Sequence, residues 1–91
     1  MIQPDNPAIN DTLGWLLVQG SKFSQGITYL REALIRDANN PEIRYHLAVA
    51  LSGLKRYEEA RHELVIALES GKQFDGQQQA QIMLKKINDL Q

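Results

Sequence analysis

His46 and His62 are the only histidines in a 91-residue chain that has no cysteine. Metal ligation or proton transfer would have to begin with them. Glu58 and His62 stand four residues apart, which places both on one face of a helix and is a spacing that two metal ligands can share. It is also the spacing of a solvated ion pair, and with no third ligand in step the ion pair is the reading adopted. His46 has no ligand-spaced partner in the sequence. Ser21, Ser24, Ser52 and Ser70 fall near expected helix ends, where hydroxyls cap or form turns, and no strand-to-helix elbow surrounds them. Gly14, Gly20, Gly26, Gly53, Gly71 and Gly76 are dispersed rather than gathered into a phosphate loop. The lack of cysteine removes disulfides, zinc thiolates and cysteine nucleophiles but leaves the compartment open. The chain is therefore expected to hold no catalytic site, no metal and no cofactor; an enzymatic role would need a second chain to supply the chemistry.

Composition narrows the partners. With 43% hydrophobic and 23% charged residues and a net charge of −1, the chain reads as one small globular domain over residues 1–91. Basic residues are scattered from Lys22 to Lys86 with no cluster that could track a phosphate backbone, so nucleic acid is not an expected partner. The longest apolar run, Leu13 to Val18, is far short of the roughly 18–20 residues that cross a bilayer, so the segment is not expected to insert in a membrane. The first six residues carry no positive region and no small-residue cleavage site, and are not read as a signal peptide.

The elements that position these side chains repeat at a spacing of 34 residues. Asn6-Pro7 recurs as Asn40-Pro41, Ile9 as Ile43, Leu13 as Leu47, Gly14 as Ala48 and Leu17 as Leu51. Phe23 recurs as Tyr57, Gly26 as Ala60, Leu30 as Leu64 and Ala33-Leu34 as Ala67-Leu68. Such a period marks a stacked supersecondary unit. Each Asn-Pro pair supplies an N-cap and a first helical residue. One helix runs from there to Gln19, closed by Gly20, and a second starts near Ser24. A third carries Ile43, Leu47, Ala50 and Leu51, and a fourth starts near Tyr57 and closes at Gly71. Asp75 and Gln78 have capping-box spacing, opening a fifth helix from about Gly76 to Asp89 with Ala80, Met83, Leu84 and Ile87 inward and Ile82 at the margin. No segment alternates as a strand would. The expected fold is all-α: repeat one over about 7–40, repeat two over about 41–74, and a capping helix over about 76–90.

These residues resemble the tetratricopeptide repeat (TPR) family. Leu47-Ala48, Leu51, Tyr57, Ala60, Leu64 and Ala67 match its alternation of small and large apolar positions, and Leu13-Gly14, Leu17, Phe23, Gly26, Leu30 and Ala33 match it again. The small residues let antiparallel helices approach, and the large ones fill the gaps. Two features depart from the pattern: Asn10 and Arg44 stand where an aromatic is usual, and Ala38 and Lys72 where a proline is usual. The resemblance implies a right-handed superhelical stack that acts as a protein-interaction scaffold. Thr12 to Trp15, Asn40 to Ala48 and the Gly71-Lys72-Gln73-Phe74 connection further resemble the C-terminal repeats of bacterial TPR lipoproteins associated with exopolysaccharide export and PEP-CTERM sorting. That resemblance would make the parent periplasmic; without it, a cytoplasmic location stands equally open.

Carried over by position, the family's concave face falls on Asp11, Thr12, Trp15, Val18 and Gln19, then on Glu42, Tyr45, His46, Val49 and Ser52. The mixture of aromatic anchors and polar groups suits a peptide or protein segment, and it lacks the basic clamp that grips a C-terminal carboxylate. Trp15 reads equally as a groove anchor or as core. The alternative is a structural terminal cap, or a self-association module, with no ligand of its own. The first helix is apolar around much of its girth, which asks for a neighbouring repeat or a second copy.

Overall fold

The computed structural model describes residues 6–90; the reading of the residues before Asn6 as no signal peptide lies outside them. Five helices follow in order: α1 (Pro7–Gln19), α2 (Phe23–Arg36), α3 (Pro41–Gly53), α4 (Tyr57–Glu69) and α5 (Gln77–Asp89). No strand occurs among the described residues.

The 34-residue period is written into the backbone as well as the side chains. Asn6 Oδ1 accepts from the Ala8 and Ile9 amides at 3.0 and 3.2 Å, and Asn40 Oδ1 from the Glu42 and Ile43 amides at 3.0 and 3.4 Å. Proline follows each cap, where its missing N–H leaves no donor unsatisfied. At the other end of these helices the left-handed residue is not Gly20, which has φ −88°. It is Ser21 at φ 64°, matched by Lys55 at φ 61°. The next amide in each case, Lys22 or Arg56, returns to the carbonyl of Leu17 or Leu51 and satisfies the open helix end. Gly71 does take the left-handed role after α4, at φ 76°. The expected Asp75–Gln78 capping box does not form: the N-cap of α5 is Gly76, with no side-chain bond.

Packing sorts the helices into two layers. α1 touches α3 and α3 touches α5, while α2 and α4 stand farther apart, bridged by the exposed Arg31–Glu59 ion pair at 3.8 Å. The layer of α1, α3 and α5 is thus the closely spaced one, and the stack curves toward it. Leu30, Ile43, Leu47, Leu51 and Leu64 form the centre of the core and are almost wholly buried. Small residues set the closeness of the layers. A Cβ at Gly14 would stand 2.7 Å from Leu30 Cγ, and one at Gly26 would stand 2.7 Å from Val18 Cγ2 and 2.9 Å from the Gly14 carbonyl oxygen. The molecule is an elongated slab of 43 × 28 × 17 Å. No helix among the described residues is long and apolar enough to cross a membrane.

Candidate interaction face on the inner helices

The inner layer presents an aromatic row that begins on α1. Trp15 stacks on the His46 imidazole of α3, with ring centroids 4.0 Å apart and planes 18° from parallel. Tyr45 leans against Trp15 at 6.0 Å and against Phe74 of the α4–α5 connection at 6.4 Å. The chain bends there so that Gly76 lies under Tyr45. A Cβ on Gly76 would come within 2.5 Å of the phenol ring, and its φ of 93° is one that side chains rarely adopt. Glycine at this position lets the connection close over Tyr45 and seats α5 beside α3. Burial raises the pKa of the Tyr45 hydroxyl.

Electrostatics organise the same place. His46 is buried, and its Nδ1 is 2.7 Å from Asp11 Oδ1. Glu42, one turn before it, holds Oε2 3.9 Å from Nε2. The Glu42 carboxyl is raised above the ordinary glutamate value, first by burial. His46 pulls it down, and Asp11 and Asp75 push it up. Three carboxylates therefore share one field at the α1–α3 end of the row. No group of three ligating side chains among the described residues could hold a metal.

The positions expected on the concave face divide. Asp11, Trp15, Glu42, Tyr45, Val49 and Ser52 are half-buried along it, and Thr12 and Gln19 are exposed. Val18 is not on the face: it is buried at 4% exposure because its methyl group fills the notch left by Gly26. His46, expected on the concave face, is buried there, covered by the Trp15 ring and tied by Asp11. The Glu58–His62 pair does not form either; Glu58 bonds Arg61 instead. Arg44, in the position where an aromatic was noted as usual, reaches Glu63 of α4 at 2.7 Å and the Ala38 carbonyl at 3.0 Å, clamping the turn before α3.

The sequence reading missed the share of α5. Gln79, Ile82, Met83 and Lys86 form one wall of a shallow depression whose other wall is Tyr45. Ser52 lies 3.8 Å from the Met83 sulfur. Ile82 is 51% exposed there. Its signal was its marginal place on the apolar stripe of a helix that needed only Ala80, Leu84 and Ile87 for packing. A side chain one step off the buried stripe faces the neighbouring groove.

A family model described as tetratricopeptide repeat matches residues 17–87. No curated protein and no solved structure matches the chain.

Proposed function

The chain belongs to the tetratricopeptide repeat family, and we propose that it binds a peptide or protein segment along its inner face, between Trp15 and Ile82. Repeats of this family are generally protein-interaction scaffolds. The observation that carries the proposal is the exposed Ile82 and half-exposed Tyr45 facing one another across a groove. Both are apolar anchors held by a rigid frame, which lowers the entropic cost of binding. With Asp11, Glu42 and Asp75 at one end, the fitting segment carries an apolar side chain flanked by lysine or arginine.

Selection from a displayed random-peptide library tests this. The expected outcome is enrichment of an apolar residue next to basic ones, with binding lost in Ile82→Glu while the melting temperature holds. Peptides that bind Ile82→Glu as well as the parent chain would overturn the reading.

A second reading, the structural cap, rests on Trp15. It shields a buried histidine that stands within hydrogen-bond distance of Asp11, and so works as core as well as surface. Under that reading Trp15→Ala costs about 3 kcal/mol or more in unfolding free energy and Ile82→Glu changes nothing. The finer resemblance to exopolysaccharide- and PEP-CTERM-associated lipoproteins rests on Thr12 to Trp15, Asn40 to Ala48 and Gly71 to Phe74 alone. It proposes a periplasmic parent, which cell fractionation of the parent in its source would test.

A further inference from the structure

One dipeptide in the chain has covalent chemistry of its own. Asp75-Gly76 is the only place where glycine follows an aspartate or an asparagine. The Cγ of an aspartic acid is open to attack by the backbone nitrogen of the next residue. A side chain on that next residue shields the nitrogen, and glycine has none.

The structure leaves both reacting groups untethered. Asp75 is exposed, and its carboxyl makes no hydrogen bond or ion pair among the described residues, although Glu42 feels its charge. The Gly76 N–H has no acceptor among them either. The other described aspartates are held or shielded. Asp11 lies 2.7 Å from His46 Nδ1, and Asp37 accepts from Asn40 Nδ2 at 2.9 Å. Asp89 precedes Leu90, whose amide donates to the Ile87 carbonyl at 3.1 Å.

We propose that Asp75 is a site of isoaspartate formation, and that the modification unseats α5 from the inner face. The Gly76 nitrogen bonds to Asp75 Cγ, and its proton leaves with the carboxyl hydroxyl as water, closing a cyclic imide. Water then opens the ring. Addition at Cγ restores aspartate. Addition at the backbone carbonyl breaks the original peptide bond, and the chain thereafter runs through Cβ and Cγ with the α-carboxylate as a side group. The detour adds about 1.5 Å of chain. The connection has no slack to take it up, because the residues on both sides of Asp75 lie against one ring. Phe74 sits 6.4 Å from Tyr45 between ring centroids, and Gly76 passes so close beneath it that a Cβ would stand 2.5 Å away. Gly76 also accepts the bond that opens α5, from the Ala80 amide at 2.8 Å. Moving Gly76 therefore moves the first turn of α5. This inference rests on the connection and does not depend on peptide binding.

Ageing the full chain in warm buffer from mildly acidic to neutral pH gives the test, with Asp75→Glu as the control. Glutamate keeps the charge but would have to close a larger, less favoured ring. Labelling by an isoaspartyl methyltransferase counts the product, electron-transfer fragmentation of peptides places it, and a guanidinium-unfolded sample checks the assay. The expected result is isoaspartate at residue 75 ahead of every other aspartate, and none there in Asp75→Glu. The isomer, separated by chromatography, has an unchanged mass. It should melt about 4 °C or more below the unaged chain, and trypsin should cut it faster after Lys85 and Lys86. A chain that stays unmodified at Asp75 while the unfolded sample labels overturns the inference. An isomer that melts and resists trypsin as the unaged chain does also overturns it.

Discussion

α1 and α3 are the same helix in sequence pattern and two different helices in circumstance. Both begin with an Asn-Pro cap and end on a left-handed non-glycine residue. α3 lies between helices and buries Ile43, Leu47, Ala50 and Leu51; α1 has a helix on one side and leaves the equivalents open. The contrast extends to the polar residues. Thr12, the counterpart of His46, is exposed, whereas His46 is buried because α1 lends it Asp11 and Trp15. Burial in this stack is set by the neighbour a position has, and identical residues contribute differently to stability according to where they stand in the array.

The largest effect should come from breaking the equivalence at one leucine. Leu47→Ala removes a side chain with no exposure and should cost roughly 2–5 kcal/mol. Leu13→Ala, half-buried, should cost less than about 1.5 kcal/mol in dilute solution. Urea denaturation of both variants decides it. Equal losses at low concentration would mean that α1 is already covered.

A second contrast lies between the repeats' small residues. Gly26 and Ala60 are equivalent, but the Gly26 site has no room for a methyl group: the obstructing atoms include the Gly14 backbone oxygen, which cannot rotate away. Gly26→Ala should destabilise by about 1–3 kcal/mol through overpacking, against a helix-propensity gain of up to about 1 kcal/mol. Ala60→Gly should cost about 1 kcal/mol from propensity alone. A Gly26→Ala chain that melts higher than the parent would show that the first repeat is packed more loosely than these distances imply.

The same contrast explains what was legible beforehand. The period, the caps and the five helices could be read because each depends on residues close in sequence. Val18 could not be placed by its position on the helix alone. It enters the core because Gly26, on the next helix, lacks a side chain, and its counterpart Ser52 meets Met83 instead. His46 required knowing that Asp11 and Trp15 come from the preceding repeat. The part of α5 in the groove depended on Gly76 tucking beneath Tyr45, a contact between segments about thirty residues apart. What stayed hidden was in each case an interaction between helices far apart along the chain or packed side by side.

The smallest effect concerns a position where α3 has a titrating group and α1 has none. Glu42 occupies the first turn of α3 and Ala8 the same place in α1. Because burial raises the Glu42 pKa in the folded chain, with Asp11 and Asp75 adding to it, the native state holds that proton more tightly than the unfolded state does. The stability this contributes is complete below the ordinary glutamate value and is lost as pH rises through the raised native value. Glu42→Gln cannot titrate, so it should match the parent in acid and exceed it at neutral pH. The side chain is more than one-third exposed, and solvent screening keeps the gain to about 0.5 kcal/mol or less. Ala8→Gln is the control in α1 and should leave the pH dependence unaltered. Thermal melts from acid to neutral pH would read the difference. A Glu42→Gln chain that loses stability across that window as the parent does would place the dependence on another group and remove Glu42 from the account of the inner face.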